Sequence, residues 1–471
     1  MNDLNEYKER VPLSSKFAFG GLNGMVAVLS GIAFSAITFY YNVKLGLRAE
    51  LLGIGWLIFA IWNAANDPLF GFLEDRTKSA KYGRRIPYIR FGAPIFGLFF
   101  ILCWFPFVNI TNELALFVNF LVVLILFDTI FTIIGLIGYS LPAEMCVTSK
   151  ERANVIVYGT IFGSLGYILS FVLPVVLLTG DKTNYIDPLF LITMVIIGIT
   201  GALIIFISSF FLKENFYTQM EEPLGFIDGI KEILKNKPFI KYEISNFSFL
   251  LAETILTTGV FYYVAYVLIL GGIMAMVPVL IVFVMIFIFI PIFSKFAGKY
   301  GLKKVYIVGL ALAGFSFLFA FFLGWNLITA IFPLMLIGIG LSSVTLLRQA
   351  IAADIIDYDE TRTGKRRETS YAGMNAVIEK PAISIANWMF LFIIVFYGFQ
   401  QTSNNQSFEV KLGIMIGLTI VPAIFLIISA IVMLFYPLDG PEWDKKKKEI
   451  IKIHEEKEKA YVQRLKEQRK M

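Results

Sequence analysis

The sequence predicts an all-α polytopic membrane protein with twelve transmembrane helices, arranged as two six-helix bundles. Of its 471 residues, 57% are hydrophobic and 16% are charged, whereas soluble domains carry about 25% charged residues. A helix needs about 20 apolar residues to cross the hydrocarbon core of a bilayer, and the chain contains twelve such runs. Most of its length is therefore expected to lie in lipid.

The twelve runs fall into two sets of six. The first set lies near 14–40, 47–73, 87–107, 113–141, 153–178 and 188–212, and the second near 242–269, 272–295, 303–323, 327–354, 371–399 and 411–436. The run KYGRR at 81–85 recurs as KYGLKK at 299–304, at the same place in each half, which supports an internal repeat. The predicted domains are an N-terminal bundle (1–212), a cytoplasmic linker (213–241), a C-terminal bundle (242–440) and a charged cytoplasmic tail (441–471).

Cationic loops set the predicted orientation. Lys and Arg cluster between spans two and three, eight and nine, and ten and eleven, whereas the loops near Val108, Gly272 and Trp325 contain none. Because basic loops stay in the cytoplasm, both termini are expected there, in a protein of the cell membrane. The net charge of +6 belongs to loops and tail, where lipid headgroups neutralise it. Membrane lipids are thus expected partners, nucleic acid is not, and a monomer is expected.

Membrane enzymes form the competing class. His454, the only histidine, lies in the tail, and Cys103 and Cys146 have no partner at metal-ligand spacing. We therefore expect no catalytic residue, no cofactor and no metal beyond a coupling ion, Na⁺ or H⁺. A receptor that does not transport remains a further alternative, which differs in that solute binding would not depend on an ion gradient.

Polar residues on spans two and four predict a cation site. A charge near the bilayer centre costs about 3 kcal/mol, so an ionisable group there indicates function. Asn63 and Asp67 are one helical turn apart, Asn66 lies beside them, and Thr132 on span four could complete a set of oxygen ligands for a small hard cation. Alternatively, Asp67 pairs with a basic loop residue and Thr132 bonds its own backbone.

Further polar residues predict a solute-binding site and a set of cytoplasmic ion pairs. An anionic or strongly polar solute would explain basic residues within late spans, although they could instead neutralise carboxylates in a structural network. The candidate substrate-binding residues are Lys380, Arg348, Asp128, Tyr139, Glu253, Tyr262 and Glu379. The tyrosines among them could stack on a sugar or line the core. The candidate gating residues, expected to form cytoplasmic ion pairs, are Asp75, Arg76, Arg84, Asp354, Asp357 and Arg366.

Two segments resemble a known family. Residues 61–91, IWNAANDPLFGFLEDRTKSAKYGRRIPYIRF, and 352–385, AADIIDYDETRTGKRRETSYAGMNAVIEKPAISI, resemble the second span with its loop and the tenth-to-eleventh junction of the glycoside–pentoside–hexuronide cation symporters, melibiose-carrier-like members of the major facilitator superfamily. The resemblance implies two bundles that rock about a central site. It also implies that Asp67, Asn66 and Thr132 occupy cation-site positions and that Lys380 lies near cation and solute.

Departures from the family pattern bear on the solute. Asn63 stands where the family usually has a second carboxylate, which leaves sodium coupling, proton coupling or uncoupled transport open. Met25 and Gly135 stand where galactoside symporters carry carboxylates, and Thr160 where they carry arginine, so a galactoside is not expected. The expected solute is a sugar, glycoside or uronate-like molecule. The alternative, from the same family branch, is a lysophospholipid, whose phosphate would suit Arg348 and whose acyl chain would suit a Phe-rich cavity.

Overall fold

The computed structural model describes residues 10–76, 85–146, 148–180, 186–213, 233–364, 368–443, 445–447 and 449–450. The first half contains α1 (Leu13–Phe39), α2 (Ala49–Arg76), α3 (Ile86–Leu102), α4 (Glu113–Met145), α5 (Ser149–Leu178) and α6 (Pro188–Phe211). The second half contains α7 (Lys237–Tyr262), α8 (Val277–Tyr300), α9 (Leu302–Leu323), α10 (Leu327–Thr363), α11 (Glu368–Phe396) and α12 (Phe408–Leu434). The predicted all-α polytopic class is confirmed.

Eleven helices in the described residues are long and apolar enough to cross a bilayer. The exception among the twelve predicted spans is α3, an apolar helix of 17 residues. At 1.5 Å per residue it is about 26 Å long, slightly less than the hydrocarbon core. The helix α7 begins at Lys237, within the stretch that the sequence predicts as linker, and residues 214–232 of that stretch lie outside the described residues.

Polar residues in the loops determine where many helices begin. Six of these helices follow a residue whose side chain accepts a hydrogen bond from a backbone N–H of the first turn: Asn112, Thr148, Asp187, Asn236, Asn326 and Ser407. Such caps satisfy backbone donors that have no partner within the helix. A proline in the first turn of α6 and of α7 adds to this signal, because its missing N–H is not needed there.

Helix packing groups the elements within each half and joins the halves at several places. In the first half α1 packs on α5 and α6, and α3 packs on α4 and α6; in the second, α10 packs on α8 and α9, and α7 packs on α11 and α12. The halves meet where α2 lies along α11, where α5 contacts residues 272–276 and α8, and where α1 contacts α7. Small residues allow the closest approaches, since a Cβ on Gly340 of α10 would lie 2.5 Å from the backbone nitrogen of Ala313 on α9.

Helices α1 and α7 share a structural repeat. Each contains an FYY sequence, at 39–41 and 261–263. A π-helical turn begins within that sequence, Tyr40–Lys44 in α1 and Tyr263–Val267 in α7. π-Helical turns of this kind often occur at functional sites. Because α1 and α7 open the two halves, the shared turn supports the internal repeat that the sequence predicts.

Candidate functional site

Five polar side chains from α2, α4 and α11 meet between the halves. This Lys380 cluster consists of Asn63, Asn66, Asp128, Thr132 and Lys380. The Lys380 ammonium donates hydrogen bonds to Asn66 Oδ1 at 3.0 Å and to Thr132 Oγ1 at 2.8 Å. Asn66 Nδ2 in turn donates to Thr132 Oγ1 at 3.0 Å and to the Asp128 carboxylate. The cluster thus links one half of the molecule to the other.

The side chains of the Lys380 cluster are buried. Asn66, Asp128 and Thr132 are at most 3% exposed, and Asn63 Nδ2 donates to the Lys380 backbone carbonyl at 3.4 Å. Asn63 Oδ1 accepts no hydrogen bond from the described residues. The structure therefore brings three of the four predicted cation-site residues together with Lys380 and Asp128, both predicted to bind solute. The side chain of Asp67, the fourth, lies outside the described part.

A second set of charged groups lies on α7, α10 and α11. This Arg348 cluster consists of Glu243, Asn246, Glu253, Arg348 and Glu379. Asn246 Nδ2 donates to Glu379 Oε1 at 2.5 Å, and Arg348 interacts electrostatically with Glu253 and Glu379. The predicted residues Arg348, Glu253 and Glu379 thus lie within electrostatic range of one another, without an ion pair within 4.0 Å among these described residues. Sequence analysis missed Glu243 and Asn246, although a charged residue close to the predicted start of span seven was a usable signal.

A cavity of about 440 Å³ lies between the halves, within the range of small-molecule sites. Asn23 of α1 and Tyr167 of α5 line it from the first half, and Phe249, Glu253 and Phe287 line it from the second. The Tyr167 hydroxyl donates to Glu253 Oε1 at 3.4 Å. The wall is mostly apolar, with this polar pair at one place, and Tyr167 is a cavity residue that the sequence analysis did not identify.

A third polar group ties the ends of α1 and α7 to α2 and α11. This Asn387 network consists of Thr38, Trp56, Thr258 and Asn387, and the hydrogen-bonded pair of Asn42 and Tyr262 lies one turn further along α1 and α7. Asn387 Oδ1 accepts from Thr38 at 3.1 Å and from Thr258 at 2.9 Å. The Tyr262 hydroxyl donates to Asn42 Oδ1 at 2.9 Å, and the ring is fully buried. Tyr262, predicted to bind solute, therefore lies beside this network, whereas Tyr139 is 72% exposed on α4.

The predicted gating residues are only partly within the described region. Asp354 of α10 accepts from Trp443 Nε1 at 3.1 Å and from Lys447 Nζ at 2.5 Å, so its described partners come from the C-terminal segment. Asp357 lies half-buried on the same helix. The side chains of Asp75 and Arg76, and the whole of Arg84 and Arg366, lie outside the described residues.

Comparison with known proteins identifies the family. Residues 18–440 match the family model described as MFS/sugar transport protein. The chain belongs to this family. Membership confirms the resemblance to the cation symporters that the sequence motifs indicate, and it places the chain among membrane transporters and not among enzymes.

Relatives of the MFS/sugar transport protein family match along most of the chain. The sequence is 24% identical to the uncharacterized symporter YnaJ of Bacillus subtilis (strain 168), over 98% of each chain. It is 23% identical to the glucuronide carrier protein homolog of Escherichia coli (strain K12), covering 88% of this chain and 89% of the relative. It is also 22% identical to the sodium-dependent lysophosphatidylcholine symporter 1 of Gallus gallus, covering 96% and 91%.

Among solved structures, the chain is similar to a bacterial homolog of the human lysosomal transporter Spinster. The TM-score is 0.62 at 15% identity, covering 90% of this chain and 96% of that one. The D-xylose-proton symporter has a TM-score of 0.61 at 14% identity, covering 90% and 97%. At these identities the likeness establishes the fold alone.

Proposed function

We propose that this protein is a secondary active transporter that couples symport of a sugar, glycoside or uronate-like solute to a cation by alternating access. The observation that carries the proposal is the contact of Lys380, from the second half, with Asn66 and Thr132, from the first. Buried polar groups that join two moving halves are where ion binding can bias a conformational equilibrium. The glucuronide carrier homolog among the relatives supports a uronate or glycoside as solute.

The coupling mechanism is competition for the same oxygens. In this structure the Lys380 ammonium occupies Asn66 Oδ1 and Thr132 Oγ1, which are oxygen ligands of the kind that Na⁺ uses. Sodium binding would displace the ammonium, whereas a coupling proton would neutralise a carboxylate such as Asp128. Either ion would weaken the attraction that holds Lys380 between α2 and α4. Both halves of the site come from one chain, so we propose that a monomer suffices.

The proposed orientation places both termini in the cytoplasm and the chain in the cell membrane. The cavity lies at the middle turns of α1, α5 and α7, and the Asn387 network lies toward the C-terminal ends of α1 and α7. With the termini inside, the Asn387 network would close the extracellular side of the cavity, which is what an inward-facing state requires. Gating by Asp354 and Asp357 at the cytoplasmic side remains part of the proposal.

Lysophospholipid symport is the second candidate. Its supporting observation is the combination of a mostly apolar cavity wall, including Phe249 and Phe287, with Glu253, which lines the cavity and interacts electrostatically with Arg348. An acyl chain would suit the phenyl rings, and a phosphate would suit the guanidinium. The lysophosphatidylcholine symporter among the relatives agrees with this alternative.

A thermal-stability screen followed by an uptake assay tests the two candidates. Purified protein would be melted with neutral sugars, uronates and lysophospholipids, each in sodium or potassium and at two pH values. Stabilisation by a sugar or uronate supports the first candidate, and stabilisation by lysophospholipid alone favours the second. In proteoliposomes, Lys380→Met should abolish ion-driven accumulation of the stabilising solute, whereas Lys304→Met, at an exposed lysine of α9, should not. Full accumulation by Lys380→Met would refute the coupling mechanism.

A further inference from the structure

Glu243 is a buried carboxyl group that the coupling mechanism above does not use. It lies in the second turn of α7 and is 2% exposed. Neither carboxylate oxygen accepts a hydrogen bond from the described residues. An ionised carboxylate is costly to bury without hydrogen bonds, and groups in this situation become neutral instead. A protonated carboxyl needs one acceptor for its hydroxyl, not several donors for two oxygens.

The surrounding charges also favour a neutral Glu243. The charged groups that interact with it are Arg348 of α10 and Glu379 of α11. Arg348 also interacts electrostatically with Glu253 on α7 itself, so a single guanidinium lies within electrostatic range of three carboxyl groups. If all three were ionised, the cluster would carry an excess of two negative charges in a low-dielectric region. Like charges that share a site keep one of them protonated.

Other elements that pack on α7 do not supply the missing positive charge in the described residues. Lys241, close in sequence, donates its ammonium to the Phe435 backbone carbonyl at 2.5 Å. The hydrogen bond that α12 makes next to this part of α7 joins two uncharged hydroxyls, those of Ser429 and Ser245, at 2.6 Å. On α9, Tyr306 interacts with Arg348 and Glu379, and at neutral pH a phenol is uncharged.

Asn246 provides the acceptor that a protonated Glu243 needs. It lies three residues further along the same helix, about one turn from Glu243. Its Nδ2 donates to Glu379 and to Asn375, while its Oδ1 accepts no hydrogen bond from the described part of the chain. A hydroxyl on Glu243 would therefore satisfy two buried groups at once.

We propose that Glu243 is a proton-binding site of the C-terminal bundle. It holds a proton in this conformation and releases that proton to solvent when Arg348 turns toward the carboxylate. The carboxylate takes up one proton from water to become the acid, and the reverse step returns it, so no other reactant is needed. The site is separate from the Lys380 cluster. Its role in transport rests on the proposed symport, because a proton bound here would be carried in addition to, or in place of, a cation at Lys380.

Infrared difference spectroscopy on purified protein in lipid nanodiscs tests the protonation state directly. A protonated carboxylic acid has a C=O stretching band that a carboxylate lacks. We expect this band in the wild type at neutral pH, its loss as the pH is raised, and its absence from Glu243→Gln. Glu409→Gln, a matched substitution at an exposed glutamate outside the cluster, should retain it. If no band at any pH depended on Glu243, the proposal would be overturned.

Two further measurements keep the test decisive. If Glu243→Gln fails to fold, Glu243→Asp retains an acid and should shift the band, whereas an unshifted band would exclude this residue as its source. In proteoliposomes, Glu243→Gln should lose the stimulation of uptake by an inward proton gradient, whereas full stimulation in this variant would contradict the proposed role. Accumulation of a solute without any band that depends on Glu243 would refute the proton site alone. Lack of accumulation of every solute tested, with the band present, would refute only the proposed symport.

Discussion

Replacing Lys380 by methionine should destabilise the protein, and a second substitution at Asp128 should recover part of the loss. The lysine makes two hydrogen bonds from a charged donor, each worth about 1.5–3 kcal/mol, so the expected cost is about 3–6 kcal/mol. Much of this cost arises because Asp128, 1% exposed, is left in a cluster without the ammonium charge. Asp128→Asn removes that charge and keeps the shape.

The double substitution should therefore be more stable than Lys380→Met alone, with a coupling free energy of about 0.5–3 kcal/mol. Unfolding by SDS in mixed micelles, followed by circular dichroism, measures all four proteins of the cycle. Sodium should stabilise Lys380→Met more than the wild type, because the Asn66 and Thr132 oxygens are then available to the ion. If the two losses simply add, within about 0.5 kcal/mol, Lys380 and Asp128 are not coupled and the account of the cluster is wrong.

Three further predictions concern packing and the ends of the molecule. Asn387→Ala removes the acceptor of two threonine hydroxyls, and each lost hydrogen bond should cost about 0.5–1.5 kcal/mol of stability. The ends of α1 and α7 should then separate. An unchanged distance between spin labels at these ends would contradict this prediction. Gly340→Ala should destabilise by about 1–3 kcal/mol in the same SDS assay, whereas Gly298→Ala, with open space around it, should not; equal effects would contradict the packing argument. Asp354→Asn should release the segment that includes Trp443, so that limited proteolysis cuts there faster, and an unchanged rate would refute this docking.

The fold could be predicted because lipid imposes a simple requirement on the chain. Any segment that crosses hydrocarbon must satisfy its own backbone and be apolar for about 20 residues, so composition alone separates spans from loops. The ends are harder to predict, because caps such as Asn236 depend on single polar residues. The repeated FYY with its π-helical turn was readable at 39–41 and 261–263, but aromatic triplets are common in a chain with 47 Phe.

The candidate site was partly predictable for a related physical reason. Charged side chains are so costly in lipid that Lys380, Arg348 and Glu253 stand out from apolar neighbours. Neutral polar residues give a weaker signal: Asn246 and Asn387 carry no charge, and one amide in a membrane helix is not unusual. What they bond depends on which helices pack together, and a linear pattern does not specify that.

Helix α11 connects the two charged clusters through consecutive residues. Successive side chains on a helix point about 100° apart, and here Glu379 reaches Asn246 on α7 while Lys380 reaches Asn66 on α2 and Thr132 on α4. A rotation or tilt of α11 that releases Lys380 must also move Glu379 relative to Arg348. An ion bound in the first half and a proton or anionic solute bound in the second would then bias the same helix, which is the condition for coupling two ligands without direct contact between them.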